Sequence, residues 1–425
     1  MFLHLDAILI SAIVGTAFNV LAIGFSLYAL FHANLISGME IVHEDPDDKS
    51  TGAIDFLVFA SILSAVDPVA VLSVFQALGV EKSLTTLILG ESLFNDGVTI
   101  VFFECLHKLQ RFSIMTMSRD YSWLGCMFAS FVTTVSGGLL LGVIYGLVTA
   151  LMCKITTKCS HNPNSHNLEM LIVVVNAYMA FVNAQFLTWS GIMALIAFGF
   201  IYVRYTRHNL CHSSELGVMG LVSGLAGLLE SLLFIIFGMD AIRLFDVNAI
   251  PDHFIFSLWS FLFCLIYRAV SSFAIGGFLN WYNGRYEITL KHMLIMSWGG
   301  LRGAVSFVMA LQLKDISGMV QTATIFVILA TCIIQGGTIT PLVRGLKLMQ
   351  KETEDKSGSE GKDSTNTVDQ KAQDWKKLMS GLLPRHDNEL SEWANVIDAF
   401  DRKHFYPVFV IDRDCQDKVT ETNED

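Results

Sequence analysis

Ten stretches of this 425-residue chain each run for about twenty residues with few charges, the length a helix needs to cross the hydrocarbon core of a bilayer. They fall at residues 7–31, 53–78, 84–106, 121–152, 168–188, 190–205, 217–239, 254–281, 292–313 and 320–343. In lipid every backbone N–H and C=O must be satisfied inside the segment, so runs of this kind fold as helices. The expectation is an all-α polytopic membrane protein with about ten spans. Composition agrees: 53% of residues are hydrophobic and 16% charged, against about 25% charged in soluble domains. Mean hydropathy is +0.52.

From Arg344 onward the chain turns to Lys, Glu, Asp, Ser and Thr, which marks a soluble tail over 344–425. Ten spans put both ends of the bundle on one side. Short loops on the tail's side carry seven Lys/Arg and those opposite carry six, so the loops alone do not orient the bundle. Arg344, Lys347, Lys351, Lys356 and Lys362 follow the last span closely and place the tail in the cytoplasm. A net charge of −11 offers no basic stripe for nucleic acid. The eight cysteines show no metal-ligand spacing and read as small apolar residues. No cofactor is expected.

Ionisable groups inside spans are costly and point to a transport path. Here they are Asp67, Glu91, Asp96, Glu230, Arg268 and Arg302. At about 2.5–3.5 kcal/mol each, six unpaired charges would cost about 15–20 kcal/mol, more than most folds can carry. They must pair, meet water, or hold a cation. The set has two more acids than bases, which leaves room for a bound cation or proton. Glu91 and Asn95 share a helix face, while Asp96 is turned about 100° from Asn95. Asn95 then serves either as a neutral oxygen for a hard cation or as an interhelical hydrogen bond. Glu104 sits at a span end and reads as an interfacial charge.

Two spans carry breakers. In "FASILSAVDPVAVLSVF" Pro68 removes a helix hydrogen bond and biases Asp67 away from helical torsions. In "LIMSWGGLRGAVSF" Gly299, Gly300 and Gly303 surround Arg302. Irregular backbone at membrane depth survives only where it is buried in protein or lines a cavity. Paired breaks in two halves of a membrane protein indicate an inverted-repeat secondary transporter with its site near the midplane.

Those motifs, "SAVDPVAVLSVF", "GESLFNDGVTIVF", "YRAVSSFAIGGF", "SWGGLRGAV" and "QGGTITPLVR", resemble the eukaryotic sodium/proton exchangers, in order from Ile8 to Arg344. "WSGIMALIAFGFIY" and "LLESLLFIIFGMDA" are similar to further stretches of that family. The resemblance implies an inverted-repeat antiporter fold with two crossing broken helices. It implies an electroneutral plasma-membrane antiporter that regulates intracellular pH and works as a homodimer. Asp96, with Asn95 and Asp67 nearby, would take up Na+ or a proton in turn. Glu91 would pair with Arg268, and Asp67–Pro68 and Gly299–Gly303 would be the unwound parts. A carboxylate serving two ions must sit where desolvation makes proton and Na+ compete for it, and Asp96 lies in an apolar span. No bond is made or broken, so no enzyme is implied.

The family has about thirteen spans, and the match begins at what resembles the fourth. By that likeness the ion-carrying core corresponds to 7–31, 53–78, 84–106, 254–281, 292–313 and 320–343, and the remaining dimer-domain spans lie within 121–239. A second reading is a truncated, non-transporting form that dimerises with full-length exchangers and modulates them. Gln185 stands where plasma-membrane members usually carry an acid, and reads as a neutral substitution near a helix end. In the tail, 352–372 reads as a disordered linker. Trp375, Leu378, Met379, Leu382 and Leu383 then form one apolar face of a helix over 373–384, stopped by Pro384. By the resemblance this helix binds a calcineurin B homologous EF-hand protein; otherwise it packs on the bundle or lies on the bilayer.

Overall fold

The computed structural model describes residues 5–35, 52–80, 82–116, 122–159, 165–242, 250–283, 289–313, 318–346, 401–402 and 405–410. The tail helix expected at 373–384, with Trp375, Leu378, Met379, Leu382 and Leu383, lies outside the described residues, as does the 352–372 linker.

In chain order the helices are α1 (5–32), α2 (Ala53–Ser64), α3 (Val69–Leu78), α4 (Lys82–Thr116), α5 (Ser122–Cys159) and α6 (Ser165–Phe186). They continue with α7 (191–209), α8 (His212–Ala241), α9 (Ile250–Asn283), α10 (Leu290–Trp298), α11 (Ala304–Gln312) and α12 (Gly318–Leu346). Seven helices among the described residues are long and apolar enough to cross a membrane. Of the other three expected spans, two are split into shorter helices. Residues 53–78 divide into α2 and α3, residues 292–313 into α10 and α11, and α7 carries a π-helical turn at Tyr202–Thr206.

The chain divides into two compact units. The first holds the described residues up to 127 and those from 228 to 346; the second holds 128–227 with 401–410. In the first, α2 is buried on nearly every side, with Phe56, Phe59, Ile62 and Leu63 in one core with Leu27 of α1, Phe256 of α9 and Val320 and Val327 of α12. Phe59 and Phe256 pack at a tilt of 31° with ring centroids 5.1 Å apart. Local chemistry sets the ends of the short helices. The Asp55 carboxylate accepts the Gly52 N–H at 2.9 Å and the Gln110 amide at 2.6 Å, capping α2. Gly79, at φ 62°, closes α3 in the left-handed conformation.

The second unit is built on close backbone approach. Gly138, Gly142 and Gly146 form a small-residue stripe on α5, and a Cβ at any of them would meet Ser190, Ala194 or Ile201. The break between α6 and α7 is sharp: Thr188 sits at φ 60°, and the Ser190 hydroxyl accepts the Met193 N–H at 3.3 Å. The segment 401–410 lies on this unit. Arg204 donates to Asp401 from Nε at 3.0 Å and from Nη2 at 2.7 Å, and the Tyr205 hydroxyl meets the same carboxylate. Lys154 donates to the carbonyls of Pro407 and Val408, and Asn209 to that of Phe409.

Three elements outrun their expected ends. α4 runs on to Thr116 and α5 to Cys159, because a helix does not stop where hydropathy falls. Glu104 therefore stands inside α4, three turns before its end, rather than at a helix terminus. α8 begins at His212, ahead of the expected 217.

Candidate functional site

The site lies in the first unit, where the two interrupted helices meet. Pro68 offers no N–H and disfavours helical torsions at Asp67, so Ala65 to Pro68 leave the helix. The freed groups find partners across the crossing. Asp67 N–H donates to the Leu301 carbonyl at 2.8 Å, and Val66 N–H donates to Asn95 Oδ1 at 3.0 Å. The Ala65 carbonyl accepts Arg302 Nη1 at 3.0 Å.

The second break, Gly299 to Gly303, is satisfied in the same way. Leu301 N–H turns back to the Gly299 carbonyl at 2.9 Å, and Arg302 N–H meets Thr331 Oγ1 at 3.3 Å. Gly303 is the N-cap of α11, and a Cβ there would collide with the Asp67 carboxylate. Glycine is required because backbone and carboxylate lie so close, and the positive end of α11 faces that carboxylate.

Arginines sit at the opposite helix ends. Arg302, 1% exposed, caps the C-terminal end of α2 through Ala65. Arg268 Nη2 reaches the Met296 carbonyl in the last turn of α10 at 3.3 Å, and its stem packs on Gly300. Each first half-helix thus ends on a guanidinium, which matches the negative end of its dipole. Arg268 Nη1 also lies 2.7 Å from Glu91 Oε1, with the side chains 6% and 3% exposed. At that burial the pair braces α4 against α9 and is costly to break from either side.

Asn95 donates from Nδ2 to Thr16 Oγ1 at 2.6 Å while accepting from Val66. It joins α1, α4 and the unwound segment, so the oxygen offered to a cation in the sequence reading already serves the backbone. Asp96 is half-buried, and its Oδ1 is sealed from solvent with no hydrogen-bond partner among the described residues. The Asp67 carboxylate is near enough to act on it electrostatically. Two carboxylates that act on each other in a buried site favour binding of a proton or a cation.

Glu230 is not part of this assembly. It lies on an exposed face of α8, so the acid count at the crossing drops by one. Three carboxylates, Asp67, Glu91 and Asp96, face two guanidiniums, Arg268 and Arg302. Counted formally over these five groups, the acids exceed the bases by one. Thr16 and Thr331 are site residues that the sequence reading did not pick out; the only signal for either is a hydroxyl in an apolar span.

Interrupted helices that supply each other's missing hydrogen bonds, with buried charges of both signs at the crossing, define a secondary transporter. The structure resembles that of the sodium proton antiporter MjNhaP1 from Methanocaldococcus jannaschii at pH 8, with a TM-score of 0.58 at 17% identity, over 81% of this chain and 79% of that one. The two share the inverted-repeat antiporter fold. Residues 1–345 match the family described as sodium/hydrogen exchanger, transmembrane. The chain is 34% identical to Na(+)/H(+) exchanger protein 7 of Caenorhabditis elegans over 360 residues, 83% of this chain and 43% of that protein. It is 32% identical to sodium/hydrogen exchanger 3 of Oryctolagus cuniculus over 359 residues, 83% of this chain and 40% of that one. The chain belongs to the sodium/hydrogen exchanger family and is a multi-pass integral membrane protein. It spans about two fifths of the length of these curated relatives.

Proposed function

We propose that this chain exchanges Na+ for H+ across a membrane, with Asp96 as the group that carries each ion in turn. The observation that carries the reading is the buried Asp96 oxygen lacking a partner among the described residues, in a group of three acids and two arginines. A bare carboxylate there resists crossing the bilayer, whereas one neutralised by a proton or by Na+ does not. Exchange then follows from competition for one carboxylate and from rocking of the core between two openings. A single excess charge supports one-for-one, electroneutral exchange, and the relatives' names support Na+ and H+ as the ions.

In this reading Asp67 is held by the α11 N-terminus as the second acid. Asn95 positions the unwound backbone beside Asp96, and Glu91 with Arg268 keeps the crossing rigid while it moves. The resemblance to the exchanger family supports pH regulation at the plasma membrane. It also supports a homodimer and an EF-hand partner of the calcineurin B homologous type on the helix expected at 373–384. The test is flux in proteoliposomes. An imposed Na+ gradient is expected to drive proton movement, and Asp96→Asn to reduce it to that of empty vesicles. Wild-type chain without Na+-driven flux at any pH overturns the reading.

A further inference from the structure

Asn19 and Thr99 lie beside this site, and the fold gives neither a job. Asn19 is 1% exposed and Thr99 is wholly buried, yet both amide atoms of Asn19 and the Thr99 hydroxyl lack hydrogen-bond partners among the described residues. Groups of this kind are costly to bury dry and normally mark a water or an ion.

Helix register brings them together. Gly90 packs on Ile8 and Asn95 bonds Thr16, so residue numbers rise together along α1 and α4 where the helices touch. Asn19 is one turn beyond Thr16, and Thr99 one turn beyond Asn95. Around α4, Thr99 lies about 40° from Asn95 on the side of Asp96, so it falls between the two in direction. Asn19, Thr99 and the unpartnered Asp96 oxygen therefore occupy neighbouring turns of two touching helices.

We propose that the Asn19 carbonyl and the Thr99 hydroxyl are neutral oxygen ligands of the cation carried by Asp96. Hard alkali cations take carboxylate, amide and hydroxyl oxygens, and one charged oxygen with neutral partners balances a single positive charge. Asn95, already shared between Val66 and Thr16, leaves this task to the next turn. Protons need no such oxygen shell. The two residues thus set affinity for the metal ion and not for its competitor.

The inference deepens the exchange reading and rests on it, and two measurements separate their failures. In proteoliposomes of the full chain, Thr99→Val and Asn19→Leu are each expected to raise the KM for Na+ about tenfold with Vmax within about twofold, and Thr99→Ser to restore the wild-type KM. In detergent, NaCl against choline chloride is expected to raise the unfolding temperature of the wild type but not of Thr99→Val. If the wild type is stabilised by Na+ and carries no flux, the exchange reading falls while the site stands. Variants with wild-type KM and full stabilisation by Na+ overturn the proposal. So does a loss of Vmax at unchanged KM, the mark of a packing defect.

Discussion

The two units solve the same problem, helices packed in lipid, by opposite means. In the first, α2, α3, α10 and α11 are short and broken, Asp67 and Arg302 stand at their breaks, and the Glu91–Arg268 pair of α4 and α9 reaches the end of α10. In the second, α5 and α6 are unbroken, the contact with α7 rests on glycines, and the charged contacts that hold 401–410 are half-exposed. Small residues let helices meet without polar groups. Buried charges are a costlier glue; the first unit gathers them where the chain also interrupts its helices, while in the second the buried Glu169 of α6 accepts from the Thr157 hydroxyl. On the proposed exchange function, the contrast gives ion handling to the first unit and scaffolding to the second.

Substitutions can break that contrast. The largest effect is expected from Glu91→Gln, which strands the Arg268 guanidinium and costs about 3–5 kcal/mol. Replacing both partners, as Glu91→Leu with Arg268→Met, should cost less than either single change. Thermal unfolding in detergent reads both, and additive losses contradict the brace. Next comes Gly303→Ala. Its Cβ overlaps the Asp67 carboxylate, so about 1–3 kcal/mol of overpacking should accompany loss of Na+-driven flux.

Gly142→Ala in α5 is the control from the other unit. It forces α5 from α7 at a similar cost in stability, while the KM for Na+ of the folded fraction is expected to stay unchanged. A shifted KM there erases the division of labour. The smallest effect belongs to Arg204→Ala. Its pair with Asp401 has side chains 28% and 16% exposed, so at most about 1 kcal/mol is at stake. Limited proteolysis should show faster cleavage near 401–410 with the unfolding temperature almost unmoved.

How much of this was legible follows from the range of the forces involved. The breaks at Asp67–Pro68 and Gly299–Gly303 were readable because proline and glycine act on their own backbone. The break near residue 188 was the hardest to place, because the runs 168–188 and 190–205 nearly fuse; Thr188 at φ 60° fixes it only in the fold. Helix ends were not readable: α4 passes its expected end at 106 because polar residues continue a helix out of the lipid. Periodicity also cannot say which acid meets which arginine, since Glu91 and Arg268 are 177 residues apart. Glu230 does lie in a membrane-length apolar helix, but α8 is exposed on nearly every side around it, and tertiary packing, not position in the run, decides which acids meet at the crossing. Thr16 escaped notice because a threonine in a span usually bonds its own helix, and here it bonds Asn95 instead.

The central claim is that the crossing carries one net negative charge, neutralised by one cation at a time. Proton flux through the reconstituted chain, driven by a fixed Na+ gradient while valinomycin and K+ set the membrane potential, tests it directly. Flux independent of potential, and abolished by Asp96→Asn, is the predicted result. Flux that rises or falls with potential means more than one charge moves per cation and contradicts the account.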